Sequence, residues 1–333
     1  MREITSPTAL VARGGNLIPE AVGFSRRPLH TTDELPSGAL HGYRTKRWDY
    51  WGITSPELFL GLTVADLDFG CVLQLYCHDR TTGETIVEET TKIPTPRGRI
   101  ELPTGLPPFF VHGTVGDTSI RFDAAGENHT ILRVETPRVS TVLEVDARGE
   151  SLSVVVPWSP TRFQYTVKGP ALPVSGIVMV DGREIRLDHD AWATLDRGRG
   201  RWRYSTDWNW AAGSGVNAAG HRVGLTLGAK WTDGTGSTEN ALVVDGMLDG
   251  PRPDAAWEYS LSSPDKPWRL RGSWIDATIT PAHVRTASTQ AVVAAGTTVQ
   301  VFGRWAGSAT LSDGRSVSLD GLTGWAEDAR NRW

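Results

Sequence analysis

Cysteine is scarce in this 333-residue chain, with two residues, and so is methionine, with three. Both cysteines, Cys71 and Cys77, lie in one apolar run, FGCVLQLYCH. On an extended strand they share a face but stand too far apart along it to bridge. This excludes a disulfide scaffold and leaves free, buried thiols, the usage of a reducing compartment. Net charge is also small, −4 with a pI of about 6.1. A nucleic-acid or anionic-membrane surface is therefore not expected. No apolar run reaches the length of a membrane span. The opening MREITSPTALVARGG lacks the apolar core of a signal peptide, so a cytoplasmic location is expected. His112, His189 and His221 are scattered without metal-ligand spacing. Phosphate loops and nucleophile elbows are absent as well. No organic cofactor and no metal are expected.

Glycine, proline and tryptophan are plentiful, at 36, 20 and 14 residues. From Gly42 onward, short apolar, β-branched and aromatic runs alternate with turn residues, among them ELFLGLTVADLDF, GCVLQLYCHD, HTILRVET and SLSVVVPW. Strand after strand with no convincing helix is the mark of an all-β sandwich or barrel. Residues 1–37 read as an extended arm that could lie over a barrel mouth. The proline-punctuated segment from Pro94 to Gly116 reads as a long loop, with Phe109, Phe110 and Val111 as a lid or a core plug. HVRTASTQAVVAA, starting at His283, reads as a loop among strands.

The chain repeats itself. Trp48-Asp49-Tyr50-Trp51 followed by Gly61-Leu62-Thr63 parallels Trp208-Asn209-Trp210 followed by Gly224-Leu225-Thr226. Asp181-Gly182-Arg183, Leu187-Asp188, Trp192-Ala193 and Arg201-Trp202 parallel Asp313-Gly314-Arg315, Leu319-Asp320, Trp325-Ala326 and Arg332-Trp333. In that register Asp196 falls opposite Glu327 or Asp328. The pattern predicts two tandem antiparallel β-barrels, over 38–204 and 205–333.

NLIPEAVGFSRRPL, KRWDYWGI, LDRGRGRWRYSTDWNWAAGSG, STENALVVDG and LTGWAEDARNRW together resemble a bacterial family of the domain-of-unknown-function kind. That family is grouped with the lipocalin-like (calycin) carotenoid hydratases, AttH-like proteins and tocopherol cyclases, with fungal pericyclase-type cyclases nearby. The resemblance covers nearly the whole chain. It implies two lipocalin-like barrels and a cavity for a large apolar molecule. In the hydratase and AttH-like relatives an acid follows a tryptophan in a Trp-x-Asp-His-Glu type motif. Trp192, Asp196 and Arg197 stand in that place here, with a longer spacing and without the His-Glu. Glu327 stands at the acid of a second, closing motif.

Asp196 is accordingly the candidate catalytic residue. An acid that protonates a double bond needs desolvation to keep its proton and electron-rich rings to steady the cation that follows. Trp192, Trp202, Trp208 and Trp210 could supply the rings. The competing reading has Asp196 ion-paired to Arg197 or Arg199 at the joint between barrels, where it would be a poor acid. Arg197 and Arg199 could alternatively meet an anionic headgroup. Glu239 and Asn240 could orient a ligand hydroxyl or form a turn. The expected function is binding of a large apolar or amphipathic, isoprenoid- or lipid-like small molecule in a barrel cavity. The alternative is a cofactor-independent hydratase, cyclase or isomerase on an apolar polyene with Asp196 as proton donor. Neither the ligand nor the oligomeric state follows from the residues.

Overall fold

Strand runs that alternate buried and half-buried positions dictate sheets, and the computed structural model consists of two curled antiparallel sheets in tandem. It describes all residues except 97, 127 and 291–294, and the side chains of all described residues except 289 and 290. Among the described residues there is no α-helix, only two short 3-10 turns, Pro19–Ala21 and Ala39–His41. Among the described residues no helix is long and apolar enough to cross a membrane.

The first sheet runs, neighbour by neighbour, Thr85–Lys92, Cys71–Asp79, Leu58–Asp66, Thr45–Thr54, Trp192–Arg201, Arg162–Val180, Val139–Asp146, His129–Glu135, Thr118–Ala124, Phe109–Val115 and Ile100–Glu101. Leu152–Ser159 and Arg183–Leu187 add to the long strand Arg162–Val180. The second sheet centres on Arg222–Ala229, Ser205–Val216, Thr323–Arg332, Ala295–Thr310 and Ile275–Gln290. In each half the first strand pairs on one side with the next strand and on the other with the last strand of its own half. That shared topology is the structural form of the internal repeat. The register also decides which acid matches Asp196. Asp196 lies opposite Tyr50 and Glu327 opposite Trp210, so Glu327, not Asp328, is the counterpart.

Alternation along these strands separates two environments. Trp51, Ile53 and Ala193 face the core of the first barrel, while Ala211 and Ala326 face the core of the second. The opposite faces meet each other. Phe59, Tyr76, Trp210, Ala212, Phe302 and Trp325, with Tyr50 and Trp208 packed against them, form the joint between the barrels. Gly52 stands where a Cβ would run into the Trp325 ring, so a side chain there would push the two faces apart. Both cysteines are free and buried in the first core, and burial pushes the Cys77 thiol up to about 12.

Three segments differ from what their residues suggest. Phe109–Val115 is a strand rather than a loop tip, with Val111 in the core and Phe110 exposed, so it forms no hinged lid. Residues 283–290 continue the strand Ile275–Gln290 across a bulge at Pro281/His283; the last part of that expected loop, 291–294, lies outside the described residues. The strand Arg162–Val180 is obscured in the sequence by Pro170 and Pro173. A register shift between Gly169 and Leu172, with Ala171 at φ 56°, takes up the prolines. The Ser214 hydroxyl accepts from the Ala171 N–H at 2.9 Å, tying this bulge to the second barrel. The N-terminal arm does pack on the first barrel: Leu10, Val11, Leu17 and Leu35 meet Val155, Phe163, Tyr165 and Val167.

Candidate functional site

A cavity of about 370 Å³ opens at the joint, between the barrels rather than inside either one. Its aromatic walls include Trp48, Tyr50, Trp202, Trp208, Trp210 and Trp231; Asp196, Glu239 and Glu327 are the buried carboxyl groups on its lining, and Glu89 is a fourth, less buried one. The volume is at the lower end of ligand pockets, which run roughly 300–1,000 Å³. A second cavity, about 570 Å³, lies inside the first barrel under the arm, with Trp51, Phe122, Leu195 and Arg197 on its wall. Of the site residues picked out in the sequence, only Arg197 lines this second cavity, whereas Asp196, Trp202, Trp208, Trp210, Glu239 and Glu327 line the first.

Lys168 sits at the centre of the acids. It is directly across the ladder from Asp196, and its ammonium is 2.9 Å from Asp196 Oδ1 and 3.5 Å from Glu239 Oε1. It also lies 4.3 Å from the Trp210 ring centroid. Burial works against the Lys168 charge, but Asp196 and Glu239 outweigh it and its pKa is raised. Asp196 accepts further from Trp48 Nε1 at 3.2 Å and Thr166 Oγ1 at 3.3 Å. Glu239 accepts from Trp231 Nε1 at 2.9 Å. Glu327 accepts from Trp208 Nε1 and from Gln300 Nε2, each at 2.9 Å. Burial, and repulsion by Asp196, push both Glu239 and Glu327 up to about 7, against the pull of Lys168 and the indole donors. Asp196 and Glu239 thus share the Lys168 ammonium, whereas Glu327 meets only indole and amide donors.

The arginines belong elsewhere. Arg197 and Arg199 are odd-numbered neighbours of Asp196 on its strand, so they point to the opposite face. There Asp49 bridges them, Oδ2 to Arg197 Nη2 and Oδ1 to Arg199 Nη2, both at 2.7 Å. The reading that paired Asp196 with Arg197 or Arg199 is thereby corrected: the partner of both arginines is Asp49. Trp192 is half-buried at the far end of the same strand and does not reach the cavity. Asn240 is structural: its Oδ1 accepts from Gly228 N at 2.8 Å and its amide donates to Pro253 O at 3.3 Å. Asp196, Trp202, Trp208, Trp210, Glu239 and Glu327 are brought together. The sequence marks Trp48 and Tyr50 only as members of the repeat and does not mark Trp231, Gln300 or Lys168. One signal for Lys168 is there: it is the lone charge in the apolar run TVKGPAL. Among the described residues no cluster of His, Cys, Asp and Glu could hold a metal ion.

Two tandem lipocalin-like barrels joined over an aromatic cavity with a carboxyl cluster define the class of this protein. The sequence profile of the domain-of-unknown-function family DUF2804 matches residues 1–333, and the chain belongs to that family. No curated protein matches the sequence. Solved structures share the fold. CghA with Sch210972 superposes with a TM-score of 0.54 at 11% identity, over 86% of this chain and 88% of that one. Kievitone hydratase from Nectria haematococca gives 0.52 at 10% identity over 92% and 96%. A protein described as AttH from Nitrosomonas europaea gives 0.51 at 15% over 86% and 92%.

Proposed function

We propose that this protein binds an apolar small molecule in the cavity between its barrels and moves a proton on it. The observation that carries this reading is a pair of buried carboxyls, Glu327 and Glu239, hydrogen-bonded to indole N–H groups on the wall of an aromatic cavity, where burial raises their pKa. Groups poised in this way suit general acid catalysis near neutral pH. Glu327 takes over the donor role expected of Asp196, because Asp196 and Glu239 both pair with the Lys168 ammonium whereas Glu327 accepts only from Trp208 and Gln300.

In the step proposed, the O–H bond of Glu327 breaks and its proton forms a C–H bond with the π pair of a double bond. The adjacent carbon becomes positive and faces the indole rings, which stabilise it. Water addition with loss of a proton gives hydration. Loss of a proton from a neighbouring carbon gives isomerisation. Either way one proton returns to the carboxyl cluster and the cycle closes. Attack of a second double bond's π pair on the cation, forming a C–C bond, followed by loss of a proton gives cyclisation, so the reactions implied are those of a hydratase, isomerase or cyclase. The fold shared with a kievitone hydratase and with CghA is compatible with this class.

The test is incubation with a panel of isoprenoids and other apolar polyenes in deuterated buffer, followed by tryptophan fluorescence and mass spectrometry. The reading expects quenching on binding and solvent deuterium at carbon in the recovered molecule, with the label lost in Glu327→Gln. Quenching without label or mass change leaves binding alone as the function. No fluorescence response across the panel overturns the ligand-site reading itself.

A further inference from the structure

The two halves of the cavity are built on one plan, and of the positions that correspond (Asp196 with Glu327, Tyr50 with Trp210, Lys168 with Gln300) the last differs in charge. In the first barrel Trp48 donates to Asp196, and Lys168 is directly across the ladder from that acid. In the second barrel Trp208 donates to Glu327, and Gln300 is directly across the ladder from it. Trp48 and Trp208 stand at the same offset from their acids, each two residues before the acid's partner on the first strand of its barrel. Lys168 lies as far before Asp181-Gly182-Arg183 as Gln300 lies before Asp313-Gly314-Arg315. Trp202 and Trp333, which close the two repeats, both line the cavity, with ring centroids 5.7 Å apart. Indole, acid and cross-strand partner therefore recur, and only the partner changes charge, from an ammonium to a neutral amide.

We propose that this exchange sets the direction of proton flow: Glu327, bonded only to neutral donors, gives the proton, and Asp196, held by the Lys168 ammonium, receives one. Two carboxyls in environments that push them apart divide the work of acid and base. An ammonium 2.9 Å away stabilises a carboxylate, whereas an amide N–H and an indole N–H supply hydrogen bonds without a full charge. The other groups facing Glu327 are Tyr50, Arg285 and, from the first barrel, Lys168 and Asp196. Arg285 donates to Gln74 Oε1 at 2.8 Å and to Gln300 Oε1 at 3.5 Å, so it reaches Glu327 through the Gln300 amide, one hydrogen bond further away than Lys168 is from Asp196. In turnover the Glu327 proton goes to substrate carbon. The proton released from water or from the neighbouring carbon goes to Asp196. One proton then leaves Asp196 and one is taken up by Glu327 through solvent, restoring the pair. Lys168 and Gln300 are positioning residues in this scheme, since they act through the acids.

The inference rests on the proton-transfer reading above, but its test needs no ligand, so the two can fail separately. The side-chain carboxyls of full-length, ¹³C-labelled protein are titrated by NMR, with Glu327→Gln, Glu239→Gln and Asp196→Asn used to assign the signals. As pH falls, the wild-type Glu327 is expected to take up its proton first, because its partners are neutral donors while an ammonium pairs with Asp196. Gln300→Lys should lower the Glu327 midpoint by roughly 1–3 pH units, a tenfold to thousandfold loss of proton affinity. Lys168→Gln should narrow or abolish the gap between the two midpoints, while Lys168→Arg keeps the wild-type order. A wild-type titration in which Asp196 takes its proton before Glu327 overturns the proposal without any variant. So does a folded Gln300→Lys protein whose Glu327 midpoint has not moved.

Discussion

Asp49→Asn is the sharpest test of how the site is held. Asp49 is fully buried and bonds both Arg197 and Arg199; Arg199 is only 2% exposed. Asparagine fills the same volume but leaves two guanidinium groups, one of them fully buried, without their counter-charge. Breaking a buried pair in this way costs roughly 3–5 kcal/mol. For a unit of this size that corresponds to roughly 6–20 °C in Tm, at about 2–4 °C per kcal/mol. Burial alone would push the Asp49 carboxyl up, but Arg197 and Arg199 outweigh it and hold it below the usual range. The contribution is then fully present above the unfolded carboxyl pKa of about 3.9 and is lost as pH falls through the lower folded value. The assay is thermal unfolding of both proteins by near-ultraviolet circular dichroism, at pH 7.5 and at steps down to pH 4. Wild type should exceed the variant throughout that range, with the gap closing only in stronger acid. A gap under about 1 kcal/mol at pH 7.5 would refute the reasoning, because it is the size of a solvated surface pair. The site is at stake as well, since Asp49 lies between Trp48 and Tyr50 on one strand and fixes which face each presents.

Two further outcomes follow. His78 and His283 stack across the joint at 3.6 Å between centroids, and burial first, then the neighbouring His78, lowers His283 to about 4. A base with a lowered folded pKa is protonated first in the unfolded chain, so stability is lost as pH falls from about 6.5 towards 4. His283→Phe should flatten that limb of the curve of midpoint against pH, and an unchanged limb would show that the stack is not what senses acid. Gly198 has no room for a Cβ because the Trp48 indole occupies the space. Gly198→Ala should displace that ring, break its 3.2 Å bond to Asp196 and weaken ligand binding about tenfold, at a stability cost of about 1–3 kcal/mol. Fluorescence titration beside a denaturation curve checks both.

What was legible in the residues was local and repetitive. Alternating runs announce strands because a strand exposes every second side chain. The duplicated Trp-x-Tyr/Trp and Asp-Gly-Arg segments announce two barrels because tandem copies fold alike. Asp196, Glu327 and the tryptophans around them stand out because acids among aromatics are rare in a core. Periodicity also contains the fact that Arg197 and Arg199 point away from Asp196, although proximity in the sequence suggests the reverse. Their partner, Asp49, lies on another strand and is fixed by register. Lys168 was out of reach for the same reason. Pro170 and Pro173 hide its strand, and only the ladder places it opposite Asp196. Glu239 meets Lys168 only because the second barrel docks on the first. The sequence determined the strands, the duplication and the chemical types at the site. The tertiary structure alone decided that the cavity lies between the barrels, and which acid is neutralised by a lysine, because charge pairing and burial depend on distances across strands that are far apart in the chain.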